Sequence, residues 1–298
     1  MKKFAAALAF SFLAAGVASA QTPKPPVTGE PETVYSDAQR DRDESLARHF
    51  VQSILRPSYS LDGQFTRWKK PICPHVVGLA PTAAYVVERR IRDVAQRVGA
   101  PLDRNDPCNP DIVVFVTAHP QALLDAAAQK EFLLVAGMRP RDRLTVQYPV
   151  QAWYFGSYRD YNGKVWLDMD CEFYLDTCPP HVAAKGTRLV NGIQAEMNAA
   201  TILVDTNAVT GMTLGTLADY LALMALAQAP ATGRCQPAPS IANLFVADCG
   251  TDMHTTALSD IDLAMLTALY ETPEEPEKLQ WQRIGGNMRR ELEKQSRH

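Results

Sequence analysis

The 298-residue sequence is first informative for what it lacks. It has no GxSxG elbow for a serine nucleophile, no P-loop and no GxGxxG turn, so three common routes to hydrolysis and nucleotide binding are absent. Its six histidines include no pair at i, i+4, so HExxH is missing and with it the usual helix-borne zinc. No CxxC pair exists for a cysteine-rich zinc site. Excess positive charge is also lacking. The formal net charge is −3, which argues against a nucleic-acid partner, since that needs a basic footprint. There is no internal repeat and, beyond the first residues, no apolar run long enough to cross a bilayer.

What is present begins at the N-terminus. Lys2 and Lys3 precede an apolar run over 4–17 and then Ala18-Ser19-Ala20, the pattern of a secretory signal peptide over 1–20. No Cys follows at the cleavage site, so a lipid anchor is not expected. A soluble exported protein, periplasmic or secreted, follows, without membrane insertion after the signal is removed. Residues 21–35 are rich in Pro, Thr and Glu and read as a flexible arm. The remainder, with 46% hydrophobic residues, fits one domain over 36–272, of which 36–60 is a helical extension, and a charged tail over 273–298. All six cysteines follow the signal. An even count in an oxidising compartment favours disulfides, and nearest-neighbour pairing would join Cys73 to Cys108, Cys171 to Cys178 and Cys235 to Cys249.

The expected fold class is α+β, a mixed sheet of about four to five strands with packed helices. Residues 36–55 suit a helix capped by Ser36, with Leu46, Phe50, Val51 and Ile54 on its apolar side. A strand interrupted by Pro71 and Pro74 belongs at an edge, and its basic trio Arg67, Lys69 and Lys70 reads as a solvated face. Over 81–98 Ala84, Val87, Ile91 and Val94 form a buried stripe, with Glu88, Arg89, Arg90 and Arg92 outside and Gly99 as the stop. Residues 111–117 suit an interior strand, joined to the first by a parallel crossover, and 121–134 another helix. Residues 150–166 read as a hairpin turning at Asn162-Gly163. After it Asp168, Asp170 and Glu172 share a strand face, a solvated edge in preference to a calcium site, which lacks its glycine loop. The run TILVD ends a further core strand over 195–207.

The chain is organised around 213–229, TLGTLADYLALMALAQA, a helix apolar on most sides, capped by Thr213 and stopped by Pro230. Its polar row is Thr216, Asp219 and Tyr220. Then come SIANLF at 240–245 and a last core helix over 260–270, opened by Leu258-Ser259-Asp260. Residues 279–295 read as an exposed charged helix interrupted at Gly285-Gly286.

The order strand, helix, strand, hairpin, strand, buried helix, turn and helix resembles the metzincin branch of the zincin metalloproteases over about 65–270. It is also similar to bacterial exported zincin-like proteins of unknown function. The most specific pieces are Ser240-Ile241-Ala242-Asn243-Leu244-Phe245, against an S-I-M-N-Y type turn, and Leu258-Ser259-Asp260-Ile261-Asp262, against L-[ST]-x-x-D. The resemblance places Asp219 at the first zinc histidine, Tyr220 at the glutamate base, Leu223 at the second histidine and Ala242 at the turn methionine. Leucine ligates nothing, and a phenol with a pKa of about 10 is no carboxylate base.

The resemblance therefore implies a protease scaffold without its chemistry, with no catalytic residue, no metal ligand and no cofactor. The expected function is non-catalytic binding of a peptide, a protein or a cell-envelope component. Either Thr216, Asp219, Tyr220 and Asn243 line a ligand cleft, or they fill the old metal pocket with one another as partners. The alternative is a hydrolase with a non-standard site using dispersed residues such as His119, Asp219 and Glu196. A third reading is a structural envelope protein docking through 279–295.

Overall fold

The computed structural model describes residues 37–55, 64–105, 107–129, 145–160, 165–167, 193–229, 233–273 and 277–295. Helix α1 (Asp37–Ile54) is followed by edge strand β1 (Pro74–Val77), helix α2 (Pro81–Val98), strand β2 (Ile112–Thr117) and helix α3 (Pro120–Gln129). Next come β3 (Val150–Asp160), β4 (Val165–Leu167) and the long β5 (Ile193–Asp205). The chain finishes with α4 (Leu214–Leu226), a 3-10 turn at Ile241–Asn243, α5 (Asp260–Glu271) and α6 (Glu277–Gln295). The five strands form one mixed sheet in the order β1-β2-β5-β3-β4. β1, β2 and β5 run parallel. β3 pairs antiparallel with β5 and with β4, and a bulge falls at Phe155/Gly156. The architecture is α+β, as the patterning implied.

The sheet is two-faced because strand side chains alternate. Ile112, Val114, Ile202 and Val204 point to the main core beneath the helices. Trp153 and Leu203 point the other way, where Leu124 of α3 covers them. Between β1 and α2, Gly78 sits at φ 97°, and a Cβ there would fall 2.0 Å from the Val116 carbonyl oxygen; only glycine lets the chain pass so close. Helix α2 begins with Pro81 at its first turn and ends on left-handed Gly99, whose stretch returns N–H bonds to the last carbonyls. The predicted stripe Ala84, Val87, Ile91 and Val94 is its buried side.

Helix α4 occupies the middle of the core, and every residue from position 216 on is buried. Thr213 caps it, accepting from the Thr216 N–H at 3.1 Å. Its C-terminal end is unusual in lying inside the protein, where the last four carbonyls have no helical partner and little water. Each is met. Ala227 N donates to Leu223 O at 3.0 Å, Tyr154 Oη to Met224 O at 2.8 Å, Trp68 Nε1 to Ala225 O at 2.8 Å, and Tyr270 Oη to Leu226 O at 2.8 Å. Three aromatic side chains, from the first extended segment, β3 and α5, thus converge on one helix end. Their apolar bodies fill the core while their polar tips supply the donors.

Several expectations are corrected. Leu46 of α1 is 37% exposed, while Phe50, Val51 and Ile54 are buried as expected. Arg67 is not on a solvated face: it is buried, and its guanidinium donates to the Thr272 carbonyl. Burial lowers its pKa to about 10 and that of Lys69 to about 8, with Arg67 adding to the second shift. Lys70 alone of the trio stays exposed. Helix α6 runs unbroken through Gly285-Gly286 and packs against α1 and α5. Gly285 is buried there, with Arg48 Cα of α1 4.0 Å from where a Cβ would stand. Trp281 sets its ring edge-on to Phe65 at 4.4 Å, and Gln280 Oε1 accepts from the Phe65 N–H at 2.9 Å. A glycine pair that would weaken a lone helix is tolerated where another helix supplies the packing, and it is Gly285, not Gly286, that faces α1.

The bonds Cys73–Cys108 and Cys235–Cys249 are formed. Cys171 and Cys178 lie outside the described residues, as do Ser36, the Asn162-Gly163 turn, Asp168, Asp170, Glu172 and everything N-terminal to residue 37. Among the described residues no helix is long and apolar enough to cross a membrane.

Candidate functional site

The polar row on α4 does not share one environment. Thr216 Oγ1 stays within its own helix turn, 2.9 Å from Thr213 Oγ1. Asp219 is 4% exposed and turns toward α2 and the start of α5. One of its oxygens accepts from Arg90 Nε and the other from the Leu258 N–H at 3.0 Å. Arg90, expected on the outer face of α2, is thereby half-spent on a buried carboxylate, which raises its own pKa chiefly through that hydrogen bond. No signal in α2 marks Arg90 for this role, since only the packing of α2 on α4 brings it to Asp219.

Asn243 is fully used by its own loop. Its Oδ1 accepts from the Gln236 N–H at 2.7 Å, and its Nδ2 donates to Ala238 O at 3.1 Å and Met253 O at 2.9 Å. It is not the partner of Asp219. The turn is held from the other side by Asp262, which accepts from Ser240 Oγ and from the N–H of Ile241 while completing the capping box of α5 with Ser259. Burial raises the Asp262 pKa, and the four donors, Ser240 Oγ, the Ile241 N–H and the N–H and Oγ of Ser259, oppose the shift. The SIANLF turn and the LSDID helix start are therefore one hydrogen-bonded unit.

Tyr220 behaves differently. It is 4% exposed, edge-on to Phe245 with centroids 4.9 Å apart, and its pKa is raised by burial. Its hydroxyl has no protein partner among the described residues. It lines a cleft of about 30 Å³ together with Leu223, Ala242 and Gln236. Ile54 of α1 and Val150 of β3 also line it. Such a volume admits about two water molecules. The positions that the resemblance assigns to base, second histidine and turn methionine thus face one space, and the position assigned to the first histidine does not. Three polar residues of this cleft, Ser53, Tyr148 and Gln236, escaped the sequence reading; the Ser53 hydroxyl is taken up by Phe50 O at 2.7 Å. Gln236 is 4% exposed, and its Oε1 has no hydrogen-bond partner, although its Nε2 donates to Arg234 O at 2.9 Å. Its place beside Cys235 in a loop gave no pattern to find it by.

The dispersed residues of the hydrolase alternative keep separate company. Glu196 is buried on β5, accepting from Ser157 Oγ at 3.1 Å and Arg159 Nη2 at 3.0 Å, with Lys70 3.9 Å away. His119 follows β2 and is exposed, its N–H bonded to Thr117 Oγ1 at 3.1 Å. No hydrogen bond or ion pair joins any two of His119, Asp219 and Glu196. Among the described residues no three metal-ligating side chains of the His, Cys, Asp and Glu type are gathered.

No protein-family model, curated protein or solved structure matches this chain.

Proposed function

We propose that this is an exported, zincin-like domain that binds a peptide or a cell-envelope component without cleaving it, using the cleft beside α4. The reading is carried by the separation of Asp219 from Tyr220, Leu223 and Ala242. Both Asp219 oxygens are engaged by Arg90 and Leu258, and Leu223 offers the cleft a hydrocarbon wall where imidazole would be needed. A mostly apolar cleft with a few polar groups suits binding. Two disulfides fit an oxidising compartment, in keeping with export to the periplasm or beyond.

The test is to incubate the purified protein with zinc and casein and, separately, to titrate it with unlabelled apolar peptides while following Trp fluorescence. Saturable peptide binding with intact casein is the expected result. One zinc retained per chain together with zinc-dependent cleavage of casein overturns the proposal.

A further inference from the structure

We propose that the cleft beside α4 takes the uncharged main-chain amide of an apolar peptide segment, with the amide N–H donated to Gln236 Oε1 and its carbonyl accepting from Tyr220 Oη. This rests on the binding reading above and names the group recognised. Three observations lead to it. The cleft wall carries no Lys, Arg, His, Asp or Glu among the described residues, so a charged group entering it would lose water and gain no counter-charge. The wall holds an acceptor without a partner, Gln236 Oε1 on a side chain that is itself 4% exposed, and a phenol, Tyr220, whose hydroxyl likewise has no partner among the described residues. A donor and an acceptor lining one cleft complement an amide, which offers one of each. The free volume of about 30 Å³ is that of about two waters, commensurate with the amide group itself, the flanking carbons staying at the mouth. A sugar carrying an acetamido group shares the amide but brings several hydroxyls. The aliphatic walls of Leu223, Met224 and Val246 would leave those hydroxyls unpaired, and this favours the peptide.

The experiment is a chemical-shift titration of the full protein carrying labelled tyrosine. The probes are N-isobutylacetamide, isobutyl acetate (in which oxygen replaces the N–H), isobutylamine and N-acetylglucosamine. The amide should shift the ring of Tyr148, which lines the same cleft and stays in both variants, saturably, and the ester, the amine and the sugar should each bind at least about tenfold more weakly, the loss expected for one missing hydrogen bond. Tyr220→Phe and Gln236→Leu should each weaken the amide by about the same factor. If Gln236→Leu does not fold, Tyr220→Phe decides alone, because its hydroxyl bonds to none of the described residues. An ester or sugar binding as well as the amide overturns the inference, as does an amide titration that never saturates or is unmoved by Tyr220→Phe. Apolar peptides that still bind under those outcomes leave the proposed function standing, whereas zinc-dependent casein cleavage removes that function whatever the amide does.

Discussion

Three tyrosines around α4 provide an internal experiment on how that helix is held. Tyr154 and Tyr270 each cap a carbonyl at the buried end of that helix, 2.8 Å from Met224 O and Leu226 O. Tyr220, one turn earlier, is more buried than either, at 4% exposed, and its hydroxyl has no partner among the described residues. Changing each to Phe removes a single oxygen and keeps the ring packed. At Tyr154 and Tyr270 the change strands a carbonyl in the core, which costs about 1–3 kcal/mol. Tyr154 lies toward the lower end, because its hydroxyl is also 3.4 Å from Ala229 O and that contact is already poor. At Tyr220 no bond is lost, so the change is expected within about 0.5 kcal/mol of zero. For a domain of this size each kcal/mol moves Tm by about 2–4 °C. Urea unfolding followed by Trp fluorescence measures all three, and unchanged m-values show that the denatured state is not the cause. Equal effects at all three positions would refute the account of the helix end, and so would a large loss at Tyr220 with none at Tyr270.

Asp219→Ala leaves the Arg90 guanidinium and the Leu258 N–H without their acceptor. It should cost about 2–4 kcal/mol in the same assay, against about 1 kcal/mol for Asp219→Asn, which keeps an acceptor; a neutral Asp219→Ala would mean the residue is not a structural anchor. Burial raises the Asp111 pKa to about 6, while its Oδ1 accepts from the Cys73 N–H at 2.8 Å. The folded state therefore holds this proton more tightly than the unfolded chain, so stability at this site falls as pH rises from about 4 to about 6. Asp111→Asn keeps the acceptor and should remove that slope, gaining on the order of 1 kcal/mol at pH 7 after solvent screening of a half-buried group; parallel Tm-against-pH curves for the two proteins would contradict this. Deleting residues 277–298 uncovers Phe65 and the inner faces of α1 and α5, so the truncated chain should lose its cooperative thermal transition. A truncated protein that melts like the full one would restore the view of this segment as a separate tail.

Much of the architecture could be read without coordinates because it is local. The stripe Ala84, Val87, Ile91 and Val94 repeats at the helical period and could be buried on only one side. The apolar run at Ile112–Thr117 is short enough for a strand and too apolar for an edge, and it lies between β1 and β5. Thr213 and Ser259 cap helices through bonds to residues three positions on, which neighbouring sequence specifies. Misreadings arose where a residue's partner is distant in the chain. Arg67 looked solvated because its carbonyl acceptor belongs to Thr272, and Gly285-Gly286 looked like a break because the helix that uses the gap is α1.

The candidate site divides in the same way. From the order of residues alone come the buried helix, its lack of any histidine, and the succession of SIANLF and LSDID along the chain; that the two bond as one unit came from the fold. Only the folded chain decides that Asp219 faces α2 while Tyr220 faces a cleft, since one helix turn spans both directions and the choice belongs to whatever packs on each side. The same holds for Gln236, whose Oε1 lacks a partner through a shortage of donors in three dimensions, a quantity that no spacing along a chain records.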